Sequence, residues 1–164
     1  MSACPSSPVS LDCLLIATNQ GRLRFVRHWQ RPYLQHDPAV TTAALVPESM
    51  HSTSQQPMVV HELDHGSFFV GNSLVVFRRF ASLNFMVTSA QSEKPICNAS
   101  FIQIFVEMLS KYFGSFSEYH IIFHIEKIHL VLDEMVCSGF LVETNKDLIL
   151  PMFAQLERHV ASSI

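Results

Sequence analysis

SFFVGNSLVVFRRFASLNFMV, residues 67–87, is the stretch on which the fold turns. Two runs, Ser67-Phe68-Phe69-Val70 and Ser73 to Phe80, flank Gly71-Asn72, and a glycine-containing pair between β-prone runs marks a tight hairpin. Leu83 to Val87 adds a further strand. The polar segment Gln91–Pro95 ends this sheet region. Beyond it, apolar residues stand at 101, 102, 105, 106, 108, 109, 112 and 113, a spacing that predicts a helix with a wide apolar face over Phe101 to Phe113. Ser115 followed three residues later by Glu118 reads as a capping box opening a second long helix. Within it Ile121, Ile125, Ile128, Leu132 and Met135 step by 4, 3, 4 and 3 residues, while Ile122, Leu130 and Val131 lie off that stripe. Ser138-Gly139 closes the helix, with glycine where a left-handed conformation is needed. Thr144 with Asp147 starts a last, shorter helix, in which Pro151 implies a kink or a later start.

Upstream, Leu11 to Ala17 is a short apolar run and Arg22 to Trp29 partly alternates, with Asn19-Gln20-Gly21 between them: two more strands and their turn. Residues 1–10 are small and polar with two prolines, and read as a flexible tail. Residues 30–56 hold Pro32, Pro38 and Pro47 among many Ser, Thr and Ala. Ala39–Leu45 has helical character, but Pro47 and the Ser/Gln-rich stretch after it argue for an irregular insertion, with order returning at Met58. Strands grouped before helices predict an α+β fold: one domain over residues 11–160, with an antiparallel sheet against which helices pack.

Composition sharpens this. The chain has 164 residues, of which 48% are hydrophobic and only 15% charged, against about 25% in ordinary domains. A mean hydropathy of +0.23 is too apolar for a disordered chain, yet charges or histidines break every run before the roughly 18 apolar residues of a membrane span. A net charge of −3 gives no electrostatic reason to expect nucleic acid. Such a chain has either an unusually large core or a surface covered by a permanent partner, and the second reading is preferred. Cys4, Cys13, Cys97 and Cys137 are scattered without a CxxC pair, which points to a reducing compartment. No Lys or Arg precedes Arg22, so the N-terminus does not read as a signal peptide, and a cytoplasmic location is expected.

Particular residues carry a resemblance. Val76-Phe77-Arg78-Arg79-Phe80-Ala81-Ser82-Leu83 resembles the strand pair of the small (sigma) subunits of clathrin-adaptor-type complexes, and Phe105-Val106-Glu107 with Tyr112-Phe113 matches their helix. Lys127-Ile128-His129, then Leu132-Asp133-Glu134-Met135-Val136, Gly139 and Val142-Glu143-Thr144-Asn145, looks most like the members from the fourth adaptor complex. The resemblance runs from Leu11 to Val160. It implies a longin-like five-stranded antiparallel sheet packed between helices, and no catalysis or cofactor. It further implies a place in a heterotetramer with a large adaptin, epsilon-type by preference, and with beta and mu chains. Such a complex is peripheral on trans-Golgi network and endosomal membranes and sorts cargo into coated vesicles.

The resemblance also implies a cargo site for acidic dileucine signals. An acidic residue in the signal needs a fixed cation, and two leucines need a paired apolar pocket. Arg24 falls where the family's arginine stands, and the pocket positions correspond to Ala81, Leu83, Val106, Ser115, Phe116 and Ile121. Phe116 replaces a smaller valine and Ser115 an asparagine, so a bulkier ring stands where the pocket should open. The competing reading makes Arg24 a solvated strand residue and the others core.

Other signals compete. His61-Glu62-Leu63-Asp64-His65 is a literal H-E-x-x-H, which on a helix would bind zinc and activate water. However, Gly66 and the strand at Ser67 would end such a helix at once, and nothing marks a third ligand, so coincidence is the preferred account. His120 and His124 repeat the i, i+4 spacing but sit on an otherwise apolar helix, where burial or a partner is the commoner role. Arg22, Arg24, Arg27, His28, Trp29 and Arg31 form the one basic concentration, read as a strand edge, a subunit interface, or an anionic-lipid contact completed by neighbouring chains. A free longin-like module binding a small GTPase or SNARE is the alternative function. It predicts a stable monomer, where an adaptor subunit predicts dependence on a large chain and a zinc hydrolase predicts stoichiometric metal.

Overall fold

Two hairpin turns of two residues each organise the sheet. In the computed structural model, which describes residues 8–29 and 64–162, five strands run β1 (Cys13–Thr18), β2 (Leu23–His28), β3 (His65–Val70), β4 (Ser73–Phe80) and β5 (Leu83–Ala90). Gly71, at φ 57°, turns β3 into β4 with Val70 opposite Ser73, as the Gly-Asn pair predicts. Ala81-Ser82 turns β4 into β5 with Phe80 opposite Leu83. There the left-handed position, φ 53°, is held by Ala81, a residue whose Cβ makes that conformation uncommon. All pairings are antiparallel and the spatial order is β2-β1-β5-β4-β3. The expected helix at Ala39–Leu45 and the return of order at Met58 lie outside the described residues.

β1 lies between β2 and β5, and all six of its residues are buried. Burial on both faces explains why Leu11 to Ala17 reads as a continuous apolar run and not an alternating one. Leu14 and Ile16 join Leu74, Val76, Leu83, Phe85 and Val87 in the main core, which the helices complete. Cys13, Leu15, Ala17, Val75, Phe77 and Met86 form a second buried cluster on the other face, made among the described residues of strand residues alone.

The helices are α1 (Pro95–Phe113), α2 (Glu118–Phe123), α3 (Ile125–Met135) and α4 (Lys146–Ser162). α1 begins at Pro95, ahead of the apolar stripe, because proline suits the first helical turn, where its missing N–H has no intrahelical acceptor. Four expectations are corrected here. The cap of α2 is Ser117, not Ser115: Ser117 is extended at φ −147°, and its backbone N–H donates to Nδ1 of His120 at 3.2 Å, so a histidine performs the return half of the box. The single long helix is two helices, because His124, at φ −135° and ψ 37°, leaves helical geometry between them. Ser138-Gly139 is not a helix end but the turn of a small hairpin, β6 (Val136–Cys137) and β7 (Phe140–Leu141), with φ 50° and 82° at its two central residues. The last helix has 17 residues and so is not the short one; it runs through Pro151, and its first turn is tied by Asn145 Oδ1, which accepts from the Asp147 N–H at 3.0 Å.

The N-terminal stretch docks beside that hairpin. Ser10 bridges Phe140, Leu141 N–H donates to Val9 O at 2.9 Å, and the Ser10 hydroxyl meets the Glu93 carboxylate. Three polar contacts bind the helical layer at its surface. The Glu157 carboxylate on α4 accepts from the Tyr112 hydroxyl of α1 and, at 2.6 Å, from Lys127 Nζ of α3, while Lys146 pairs with Glu107. Lys127 is therefore a joint between two helices.

Candidate functional site

Arg24 is carried by β2, whose outer edge faces α2 and α3. Its Nε donates to Oε1 of Glu118 at 2.6 Å, and both side chains are about one third exposed. Glu118 stands in the first turn of α2, where the unpaired N–H groups favour a carboxylate. Among the described residues Glu118 is the only polar partner of Arg24, and the contact uses one nitrogen of the guanidinium. Arg24 is thus neither simply solvated nor free: the cation that the sequence singles out already faces an acid of its own chain.

The apolar candidates divide. Leu83 at 2%, Ile121 at 2% and Val106 at 8% exposed belong to the main core. Phe116 lies half-buried against that core, its ring 6.1 Å from Phe85, 5.9 Å from Phe113 and 6.0 Å from His120. Ala81 and Ser115 are exposed, and Ala81 offers its carbonyl to Asn19 Nδ2 at 3.4 Å. Arg24, through Glu118, and Ile121 meet at α2, with Phe116 two residues ahead of Glu118; the buried candidates share one core with it.

Sequence reasoning missed Glu118 in this role, treating it only as half of a cap. It also left the basic residues of β2 without partners. Trp29 is buried, and Arg27 bonds Asp133 of α3 through Nη2 at 2.5 Å while Nη1 lies 3.0 Å from His129 Nδ1. A guanidinium can only donate, so His129 must present an unprotonated Nδ1. Burial first, then the Arg27 charge, lowers the His129 pKa against a smaller opposing effect of Asp133; burial also lowers that of His28. Each imidazole therefore binds a proton less readily folded than unfolded. Their contribution to stability is present above the unfolded value near 6.5 and is lost as pH falls below it. Urea midpoints should accordingly drop between pH 7.5 and pH 5.5, and His129→Gln should flatten that drop. An unchanged slope in the variant would assign the acid sensitivity elsewhere.

Around the Arg24–Glu118 pair, α2 turns apolar residues outward. Tyr119, Ile122 and Phe123 are each more than half exposed, and the Tyr119 and Phe123 rings lie 4.5 Å apart. Farther along, Phe140 on the hairpin, Val142 just after it, and Leu148 and Met152 on α4 are exposed. The surplus of apolar residues in the composition is therefore not absorbed by the core. No helix among the described residues is long and apolar enough to cross a membrane.

Of the metal-like motifs, His61 and Glu62 lie outside the described residues, and His65 begins β3, so it does not share a helical face with a residue one turn earlier. The His120 and His124 rings are 6.3 Å apart, but Nδ1 of His120 is taken by the Ser117 cap. Among the described residues no group of three or more His, Cys, Asp or Glu side chains is placed to hold a metal ion.

Comparison with known proteins gives a consistent result. The family profile described as "Clathrin adaptor complex small chain" matches residues 10–160. The "AP-4 complex subunit sigma" of Arabidopsis thaliana is 34% identical over 137 residues, 84% of this chain and 90% of that protein. The "AP-3 complex subunit sigma-2" of Homo sapiens is 32% identical over 149 residues, 90% of this chain and 73% of that protein. Over a shorter stretch of 84 residues, covering 51% of this chain and 58% of the relative, the human "AP-4 complex subunit sigma-1" is 38% identical. A chain of the structure titled "Homology model of the full-length AP-3 complex in a stretched open conformation" superposes with a TM-score of 0.56 at 18% identity, covering 93% of this chain and 96% of that one, which supports the fold alone.

Proposed function

The chain belongs to the clathrin adaptor complex small chain family, and from that premise we propose that it is the sigma subunit of a fourth-type adaptor heterotetramer, with an epsilon-type large chain, a beta chain and a mu chain as partners. It acts in vesicle-mediated protein sorting, peripheral on trans-Golgi network and endosomal membranes, as a structural component without catalytic activity. Residues 11–160 act as one domain, with 30–56 as an insertion and 1–10 as a tail whose last two residues, Val9 and Ser10, dock on the β6–β7 hairpin. Arg24, with Ala81, Leu83, Val106, Ser115, Phe116 and Ile121, is the place where a cargo tail bearing an acidic dileucine signal makes contact.

The observation that carries the reading is the apolar surface on α2, the β6–β7 hairpin and α4. Of the eleven large hydrophobic side chains exposed among the described residues, Tyr119, Ile122, Phe123, Phe140, Val142, Leu148 and Met152 fall on or beside these elements, and in a chain with 15% charged residues a permanent partner would cover them. The assignment to the fourth complex is supported by the 34% identity to the Arabidopsis thaliana AP-4 sigma protein.

Affinity purification of the tagged chain from cells, followed by mass spectrometry, tests this. One epsilon-type, one beta and one mu chain are expected in equal amounts. A delta-, gamma- or alpha-type large chain would move the protein to another complex. Recovery of no large chain would overturn the reading in favour of a free longin-like module.

A further inference from the structure

The Arg24–Glu118 pair and the seating of Phe116 have one geometric feature in common: both come from a single short segment, residues 116–118, that crosses from the end of α1 into α2. An acidic peptide with a bulky apolar pair would present a carboxylate to Arg24 and apolar side chains to the core around Phe85. The chain already supplies both chemistries to the same places. Glu118 Oε1 holds Arg24 Nε at 2.6 Å, and the Phe116 ring lies 6.1 Å from Phe85. Resting on the cargo-site reading above, we infer that Phe116-Ser117-Glu118 is an internal occupant of that site, which a sorting peptide must displace, and that Glu118 in particular is a competitor for Arg24.

The segment is built to yield. It follows Gly114 at φ 81°, a backbone geometry that L side chains rarely adopt, and nothing lies within 4 Å of where a Cβ would stand there. α2 itself has six residues, of which Ile121 alone is buried. The ion pair is about one third exposed, so it is screened and weak enough to exchange for an incoming carboxylate. While it is closed, Arg24 is neutralised and offers an acidic peptide little long-range attraction.

The test measures binding of a fluorescent peptide, carrying a glutamate upstream of two leucines, to the assembled complex containing this chain; the same peptide with glutamine serves as control. Glu118→Gln should tighten the glutamate peptide by about two- to fivefold, the range set by an exposed ion pair, and make its binding more sensitive to salt, while leaving the glutamine peptide unchanged. Phe116→Val should tighten both peptides. Adding Arg24→Ala should abolish the gain from Glu118→Gln. If Glu118→Gln binds no better than wild type while Arg24→Ala still weakens binding, Glu118 orients Arg24 instead of competing for it, and the inference falls while the cargo site stands. If Arg24→Ala changes nothing in any background, the cargo-site reading itself fails. Thermal melts of each variant within a few degrees of wild type exclude misfolding as the cause.

Discussion

Phe85→Ala is expected to destabilise the chain by about 3–5 kcal/mol, enough to consume much of the roughly 5–15 kcal/mol that holds a domain folded. Phe85 is fully buried on β5 and touches rings from three other places: Phe80 at 5.8 Å, Phe105 of α1 at 6.4 Å and Phe116 at 6.1 Å. Truncation removes both its transfer from water and the edge-on ring contacts, and leaves a cavity bounded by a β-strand that cannot collapse without breaking its ladder. Urea denaturation of the assembled complex, or of the chain with its large partner, would register the loss as a lowered midpoint. A change under 1 kcal/mol would mean that Phe116 swings inward to fill the space. That outcome would itself show the 116–118 segment to be loosely held.

Leu132→Ala should cost about 2–5 kcal/mol, whereas Leu130→Ala, two residues away on the same helix, should stay within about 0.5 kcal/mol. Leu132 is fully buried with Ile128, Val131 and Met135 on the inner face of α3, while Leu130 is 43% exposed. The contrast isolates burial, since the deleted atoms are the same. If partner chains cover Leu130, the same substitution should weaken recovery of the complex without lowering the stability of the fold, and pull-down yields alongside denaturation curves would separate the two. Equal destabilisation by both substitutions would mean that α3 is turned differently from its position here.

Which parts of this were legible beforehand follows the range of the forces involved. The Gly71-Asn72 hairpin and the apolar stripe of α1 were readable because turn chemistry and helical period act over a few residues. Of the expected stripe, Ile121, Ile128, Leu132 and Met135 are buried, but Ile125, placed on it, is 42% exposed, and Val131, set aside as off the stripe, is fully buried. α3 is covered over a broader arc than a narrow seam, and period alone does not reveal that width. The break at His124 was invisible, since apolar spacing continues across it, and so was the Ser138-Gly139 hairpin, since a glycine after a helix serves equally as a cap or a turn. For the site, the residue types were identified and the partnerships were not. Arg24 and Glu118 are separated by 94 positions, and Arg27 and Asp133 by 106.

Sequence by itself therefore determined the α+β class, the order of strands before helices, the membership of the adaptor small-chain family and the surplus of apolar surface, because each is written in local pattern or in composition. Tertiary structure decided which apolar residues stay outside, which cation is already neutralised and by which acid, and that Phe116 is seated over Phe85. Those depend on which strand edge meets which helix. A β-sheet joins residues far apart in the chain, and the charges on its rim find their partners only after the sheet and helices have packed.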